Sequence, residues 1–171
     1  LFTHKRKNLV IAIDGPSASG KGTVAKKLAT HFNLPFLNTG ALYRLIAYRA
    51  LQQKIALDQI NPHIDSLIKT IREEDLEQDA LFSEETGAAA SIVAKNQNLR
   101  DKIFHFQRDF ALNGLGDFGG AVLDGRDIGT VICPDANFKF FITANVEIRA
   151  KRRFDQLKKQ DKIVSYEEIL A

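Results

Sequence analysis

Apolar residues run almost without interruption through "LVIAID" (9–14) and stop at an acid, the pattern of a strand buried on both faces of a parallel sheet. The spacing then turns helical, with Val24, Ala25, Leu28, Ala29 and Phe32 recurring on one face from about 21 to 33. Between the two lies the glycine-rich "GPSASGKG". Strand, glycine turn and helix make the first unit of an α/β fold. A short second strand is expected in "LPFLNTG" (34–40). A helix over "GALYRLIAYRALQQ" follows, its apolar face supplied by Leu42, Leu45, Ile46 and Leu51.

From about 55 to 113 the pattern is mainly helical, in the segments "NPHIDSLIKTIREE", "EETGAAASIVAK" and "NLRDKIFHFQRDFAL". The acidic "REEDLEQDALFSEE" (72–85) within that span reads as a solvated face or loop. Further strands are expected at "AVLD" (121–124) and "FKFFITA" (138–144), and a basic helix, "VEIRAKRRFDQLKKQ", begins near Val146. The alternation predicts one domain over 1–171, a three-layer α/β/α sandwich around a parallel sheet. Its core covers about 9–54 and 119–171, and an α-rich insertion covers about 55–113.

Composition narrows the function classes. With 44% hydrophobic residues the chain can build a core, and a net charge of +3 sets up no global field toward nucleic acid or membrane. Cys133 is the single cysteine, which excludes an internal disulfide, and His4, His31, His63 and His105 are too scattered for a metal cluster. No apolar run is long enough to span a bilayer and no secretory signal is visible, so the cytoplasm is expected; a monomer is the separate expectation for the assembly. The basic "HKRKN" (4–8) reads as a solvated end.

Chemistry enters with Gly15, four residues, Gly20 and Lys21, the front of a phosphate-loop pattern placed between a buried strand and a helix start. Glycines let successive N–H groups turn inward, and the helix start adds about half a positive charge. Lys21 supplies a mobile ammonium for the β and γ phosphates. The expected ATP-binding residues are therefore Gly15, Pro16, Ser17, Ala18, Ser19, Gly20, Lys21, Gly22 and Thr23. Gly22 stands where the common pattern has a Ser or Thr that touches Mg²⁺, and Thr23 comes one residue later. In "LDGRDIGTV", Asp124, Arg126 and Asp127 fall at the carboxyl end of a strand, where open α/β sheets bind ligands, and Arg126 offers a planar fork for a phosphate. The "DFG" at 117–119 lacks the companion motifs of a protein kinase and reads as a glycine-rich loop.

The "GKGT" spelling resembles nucleoside monophosphate kinases. With "LNTGALYR" (37–44), "ASIVAKNQNLR" (90–100), "DGRDIGTVICPDA" and "VEIRAKRR" (146–153), the chain from about residue 9 onward is similar to the bacterial cytidylate kinase family. That resemblance implies phosphate transfer from ATP to CMP and dCMP, with Mg²⁺ held largely by water and the nucleotide. It implies that Arg44 and Arg126 grip the α-phosphate of CMP, that Ser91, Arg100 and Asp127 surround the cytosine, and that Thr39 and Tyr43 shape the acceptor pocket beside Asp124. Lys21, Arg44, Arg126 and Asp127 are the expected catalytic residues. Arg152, with Arg149, is a candidate for the ATP side, and 55–113 becomes an acceptor-binding insertion. The family usually has Asp at the position of Asn38, a small β-sheet in the insertion, and an Arg- and Asp-rich lid with a final strand beyond the position of "SYEEILA". The sequence leaves little room for that β-sheet, and the resemblance implies that the lid and final strand would fall past the position of Ala171. Three other readings stay open: a kinase for AMP, UMP or a shikimate-like alcohol, a nucleotide-binding module without transfer, and nucleic-acid binding through "RAKRRFDQLKK".

Overall fold

The computed structural model describes residues 9–113, 119–158 and 165–170. The "HKRKN" end and Asp117 and Phe118 of the "DFG" run lie outside them. Four parallel strands, β1 (Leu9–Asp14), β2 (Phe36–Asn38), β3 (Gly120–Gly125) and β4 (Phe138–Phe141), form one sheet in the order β2-β3-β1-β4. The helices are α1 (Lys21–Phe32), α2 (Thr39–Gln52), α3 (Ile64–Ile68), α4 (Glu84–Val93), α5 (Gln97–Asn113), α6 (Val146–Lys158) and α7 (Tyr166–Leu170).

Strand alternation sorts the core into two layers. Val10, Ala12, Leu37, Ala121 and Leu123 face α2, α5 and the inserted segment. Ile11, Ile13, Phe36 and Val122 face Ala25, Leu28 and Ala29 of α1. Burial on both faces is why β1 and β3 read as continuous runs, whereas β4 is exposed along its length, and each fully buried aliphatic such as Ile13 or Leu123 contributes about 2–3 kcal/mol. The result is the expected α/β/α sandwich.

The expected strand at 138–144 ends early, at Phe141. The Ile142 N–H still donates to the Asp14 carbonyl at 2.7 Å, but the chain then turns, and the Asn145 side chain caps α6 by accepting from Ile148 N–H at 3.0 Å. Within 55–113 there are helices and short 3₁₀ turns and no strand. The helix expected over 61–74 is reduced to α3, because Lys69 is extended and Thr70 is left-handed at φ 59°. Arg49 of α2 holds that break in place, donating to Leu67 O at 2.7 Å, Lys69 O at 3.2 Å and Asp75 Oδ2 at 3.1 Å. The acidic stretch is thus not wholly a solvated face: Asp75 is buried and also accepts from Arg72 N–H at 3.0 Å. Ile60, Ile64, Leu67, Leu81, Val93, Leu99 and Ile103 of this segment join the same apolar cluster as Leu37 and Leu123.

Candidate active site

The carboxyl ends of β1, β2 and β3 gather the chemistry. After β1 the chain enters the 15–20 loop at Gly15, whose φ of 152° and contact with the Ile142 carbonyl leave no space for a Cβ. Gly20 (φ 95°) opens α1. Ala18 is left-handed at φ 59°, a conformation that costs a residue with a Cβ about 1–2 kcal/mol. Arg152 of α6 braces this bend: its Nη1 donates to Ala18 O at 3.1 Å and to Ser19 O at 2.9 Å. The expectation that Arg152 belongs to the ATP side becomes more specific here, since its guanidinium holds the loop's carbonyls. Arg149 instead donates from Nε to Ala144 O at 3.2 Å, at the start of its own helix.

The missing hydroxyl at position 22 has a spatial reason. A Cβ on Gly22 would stand 3.0 Å from Asp124 Oδ2, so the bare glycine lets the carboxylate at the end of β3 come against the start of α1. Asp124, grouped with the acceptor residues by its motif, therefore faces Gly22 at the start of α1. Burial pushes its carboxyl up to about 6, with the Lys21 charge pulling it down, Asp14 pushing it up and Lys26 pulling it down. The sign follows from linkage. Between about pH 4 and pH 6 the folded state retains a proton that the unfolded chain, near 3.8, has released, so stability falls as pH rises through that window. The cost is complete above pH 6 and amounts to about 3 kcal/mol. In nucleotide-free protein with chelator present, Asp124→Asn should gain stability relative to wild type by that order between pH 4 and 7.5, read by urea denaturation. A gap that stays constant across this range would remove the buried charge from the account.

Beyond the carboxyl ends of β2 and β3 a cleft of about 180 Å³ is lined by Thr39, Tyr43, Arg100, Gln107 and Asp127 among others, five residues that include four of the expected acceptor set. Burial raises the Tyr43 hydroxyl, while Arg100 pulls it down and Asp127 pushes it up, which puts both charges within electrostatic reach of the ring. Thr39 Oγ1 donates to Asp124 O at 2.9 Å and ties the β2–α2 junction to the end of β3. Asn38 caps α2, its Oδ1 accepting from Ala41 N–H at 3.1 Å. Gln107 escapes sequence reading, although one signal existed: a polar residue on the apolar Leu99–Ile103–Phe110 stripe of α5, where it is buried and donates to Ile103 O at 3.2 Å.

Besides Asp124, three expected residues do not line the cleft: Ser91, Arg44 and Arg126. Ser91 is exposed on α4 and donates to Gly87 O at 3.1 Å within its own helix. Arg44 is half-buried and turned toward the insertion, donating to Leu81 O at 2.9 Å and Ser83 O at 3.4 Å, with its guanidinium 5.9 Å from the Phe82 ring. Burial, and secondarily the charge of Arg153, lowers the Arg44 pKa. Arg153, unremarked in the sequence, thus brings a third arginine near this end of the molecule. Arg126 is exposed just past β3. The basic helix spends its cations locally, on the loop through Arg152, on Gln156 through Arg153 and on Asp155 through Lys151. Among the described residues no group of three or more His, Cys, Asp or Glu side chains could hold a metal ion.

Comparison with known proteins gives the family. The profile of the family described as cytidylate kinase matches residues 11–171. The chain is 49% identical over 165 residues to a cytidylate kinase of Bartonella quintana (strain Toulouse), covering 96% of this chain and 74% of the relative. It is 48% identical over 164 residues to one from Bartonella tribocorum (strain CIP 105476 / IBS 506), with the same coverage of both chains. It is 45% identical over 163 residues to one from Xanthobacter autotrophicus (strain ATCC BAA-1158 / Py2), covering 95% of this chain and 76% of the relative.

Proposed function

The chain belongs to the cytidylate kinase family, which passes the γ-phosphate of ATP to CMP, and we propose how its residues divide that work between donor and acceptor. The chain is an ATP-dependent kinase that converts CMP to CDP with release of ADP. The observation that carries this reading is that the phosphate loop and the Tyr43–Arg100–Asp127 cleft open at the same end of one sheet, joined through Asp124.

Gly15, Pro16, Ser17, Ala18, Ser19, Gly20, Lys21, Gly22 and Thr23 wrap the ATP phosphates with backbone N–H groups, and Arg152 keeps the loop in shape. The CMP phosphate oxygen attacks the γ-phosphorus in line. A bond forms to that oxygen as the bond to the β-phosphate bridge breaks, and no covalent enzyme intermediate is needed. Lys21 balances charge on the donor phosphates. Arg126 and Arg44 take the CMP α-phosphate, Arg44 exchanging its carbonyl partners on the insertion for phosphate oxygens. Arg100 and Asp127 frame the cytosine, Tyr43 and Thr39 wall the pocket, and Ser91 joins them as α4 approaches the cleft.

Cytidylate kinases are ATP-using enzymes that generally need a divalent metal, and we assign Mg²⁺ to this one. The donor set suits it. Asp124 offers one carboxylate within electrostatic reach of Lys21, and the nucleotide's phosphates and water would supply the remaining oxygens. Bound there, the ion neutralises charge on the β and γ phosphates. We further read residues 55–113 as the acceptor-binding insertion of a single domain, dCMP as a second acceptor, and the protein as a cytoplasmic monomer. No described helix is long and apolar enough to cross a membrane.

A phosphotransfer panel tests this: Mg·ATP with CMP, dCMP, UMP, AMP or shikimate in separate reactions, reading ADP. Transfer confined to CMP and dCMP is expected. Preferred transfer to AMP or to shikimate would overturn the acceptor assignment.

A further inference from the structure

We infer that Asp14, the last residue of β1, is a positioning residue that holds the acceptor-binding turn in register with the phosphate loop. Its carboxylate is buried, and both oxygens are engaged on backbone. Oδ1 accepts from Ile128 N–H and Oδ2 from Gly129 N–H, each at 2.8 Å. Those are the first two N–H groups of the single π-turn Ile128–Ile132, whose ring of bonds includes Val131 N–H to Asp127 O at 2.8 Å and Ile132 N–H to Asp127 O at 3.1 Å. Opening N–H groups of a helical turn have no partner within it, so a carboxylate that takes two of them fixes where the turn starts. π-Turns are uncommon and gather at functional sites.

The turn matters because of what it carries. Asp127 immediately precedes it, Arg126 is one residue further back, and Val131 and Ile132 line the acceptor cleft. Asp14 therefore joins the residue before the phosphate loop to the segment that presents the acceptor groups, across 114 residues of chain. Gly129 belongs to the same device. A Cβ there would stand 3.3 Å from Asp14 Oδ2 and 3.0 Å from Lys139 Cδ, so a larger residue presses on the clamp from the other side.

The donor side does not depend on this carboxylate in the same way. The Asp14 and Gly15 main chain is held separately, by Ile142 N–H donating to Asp14 O at 2.7 Å and Gly15 N–H donating to Gly125 O at 3.3 Å. Loss of the carboxylate should consequently be felt by CMP before ATP. The inference rests on the acceptor roles proposed above for Arg126 and Asp127.

The test measures steady-state kinetics and thermal unfolding for Asp14→Asn, Gly129→Ala and Asp127→Asn. Asn at 14 keeps one acceptor but turns an amide N–H₂ toward the second backbone donor. Asp14→Asn is expected to raise the KM for CMP about tenfold or more, the scale of a small misplacement of a binding group, with less than about a twofold change in the KM for ATP. Gly129→Ala should move the same constant in the same direction while Asp14 is intact, which covers the case of an Asp14 variant that does not fold. A folded Asp14→Asn with wild-type KM for CMP overturns the inference, as do equal losses for both substrates, which would mark a merely structural contact. Asp127→Asn judges the underlying reading separately. If it leaves the preference for CMP over UMP untouched, Asp127 is not reading the base, while the KM of Asp14→Asn still decides the clamp.

Discussion

Lys21→Ala is expected to cut kcat by about 10²–10³-fold or more while the protein remains folded. Lys21 opens α1 directly after Gly20 and is only partly buried, with its backbone N–H turned to Ser19 Oγ at 3.4 Å. Its side chain carries no core packing, so truncation leaves both apolar layers intact. What disappears is a mobile cation for the β and γ phosphates, whose charge redistributes as the γ-phosphoryl moves. An interaction that strengthens in the transition state lowers kcat when removed, whereas one made equally with bound ATP would raise only KM. Single-turnover phosphotransfer with saturating Mg·ATP and CMP, beside a melting curve, reads both quantities. Near-normal turnover in the folded variant would sink the donor scheme. Losing Lys21 also removes the charge that pulls the Asp124 carboxyl down, so that carboxyl should titrate higher still.

The second large effect concerns the choice of base. Cytosine presents an amino donor where uracil presents a carbonyl acceptor, and an ionised Asp127 accepts from the first and repels the second. Asp127 is exposed at the cleft, within electrostatic reach of Tyr43 beside Arg100, and Asp101, Gln97 and Gln107 add further polar groups to the lining. A site built to pair one hydrogen-bonding group discriminates by about 10⁴ against an analogue lacking it. Asp127→Asn offers an amide that can turn either its oxygen or its N–H₂ inward, and so loses the repulsion. The ratio of kcat/KM for CMP over UMP is expected to shrink by about 10²–10³-fold, through a fall in the CMP value together with a rise in the UMP value. Competition between the two acceptors at fixed Mg·ATP measures it directly. An unchanged ratio would mean that Arg100 or the pocket walls read the base instead.

Some of this architecture could be read directly from the chain. β1 and α1 stand where the switch from a continuous apolar run to helical spacing put them, because burial on two faces and burial on one face leave different periods. The phosphate loop was equally legible, since all its parts are adjacent in the chain. The first segment of the insertion was less so. A helix reads plausibly over 61–74, yet it stops at Ile68, because the chain beyond is shaped by Arg49 and Asp75, partners supplied by a different element. The β4 strand was overestimated for a related reason: "FKFFITA" is apolar enough to continue, but its neighbour β1 ends at Asp14.

By itself, then, the sequence determined the fold class, the strand–glycine loop–helix unit at 9–32 and the family, all of which rest on local period or contiguous motif. Only the tertiary structure decided what those residues face. Asp124 turns to Gly22, Arg152 reaches loop carbonyls 133 and 134 residues away, Arg44 bonds the insertion, and Asp14 clamps a turn 114 residues downstream. The physical reason is the strand order β2-β3-β1-β4: placing β3 beside β1 brings Asp124 and the π-turn against the phosphate loop, and no spacing along the chain encodes that adjacency.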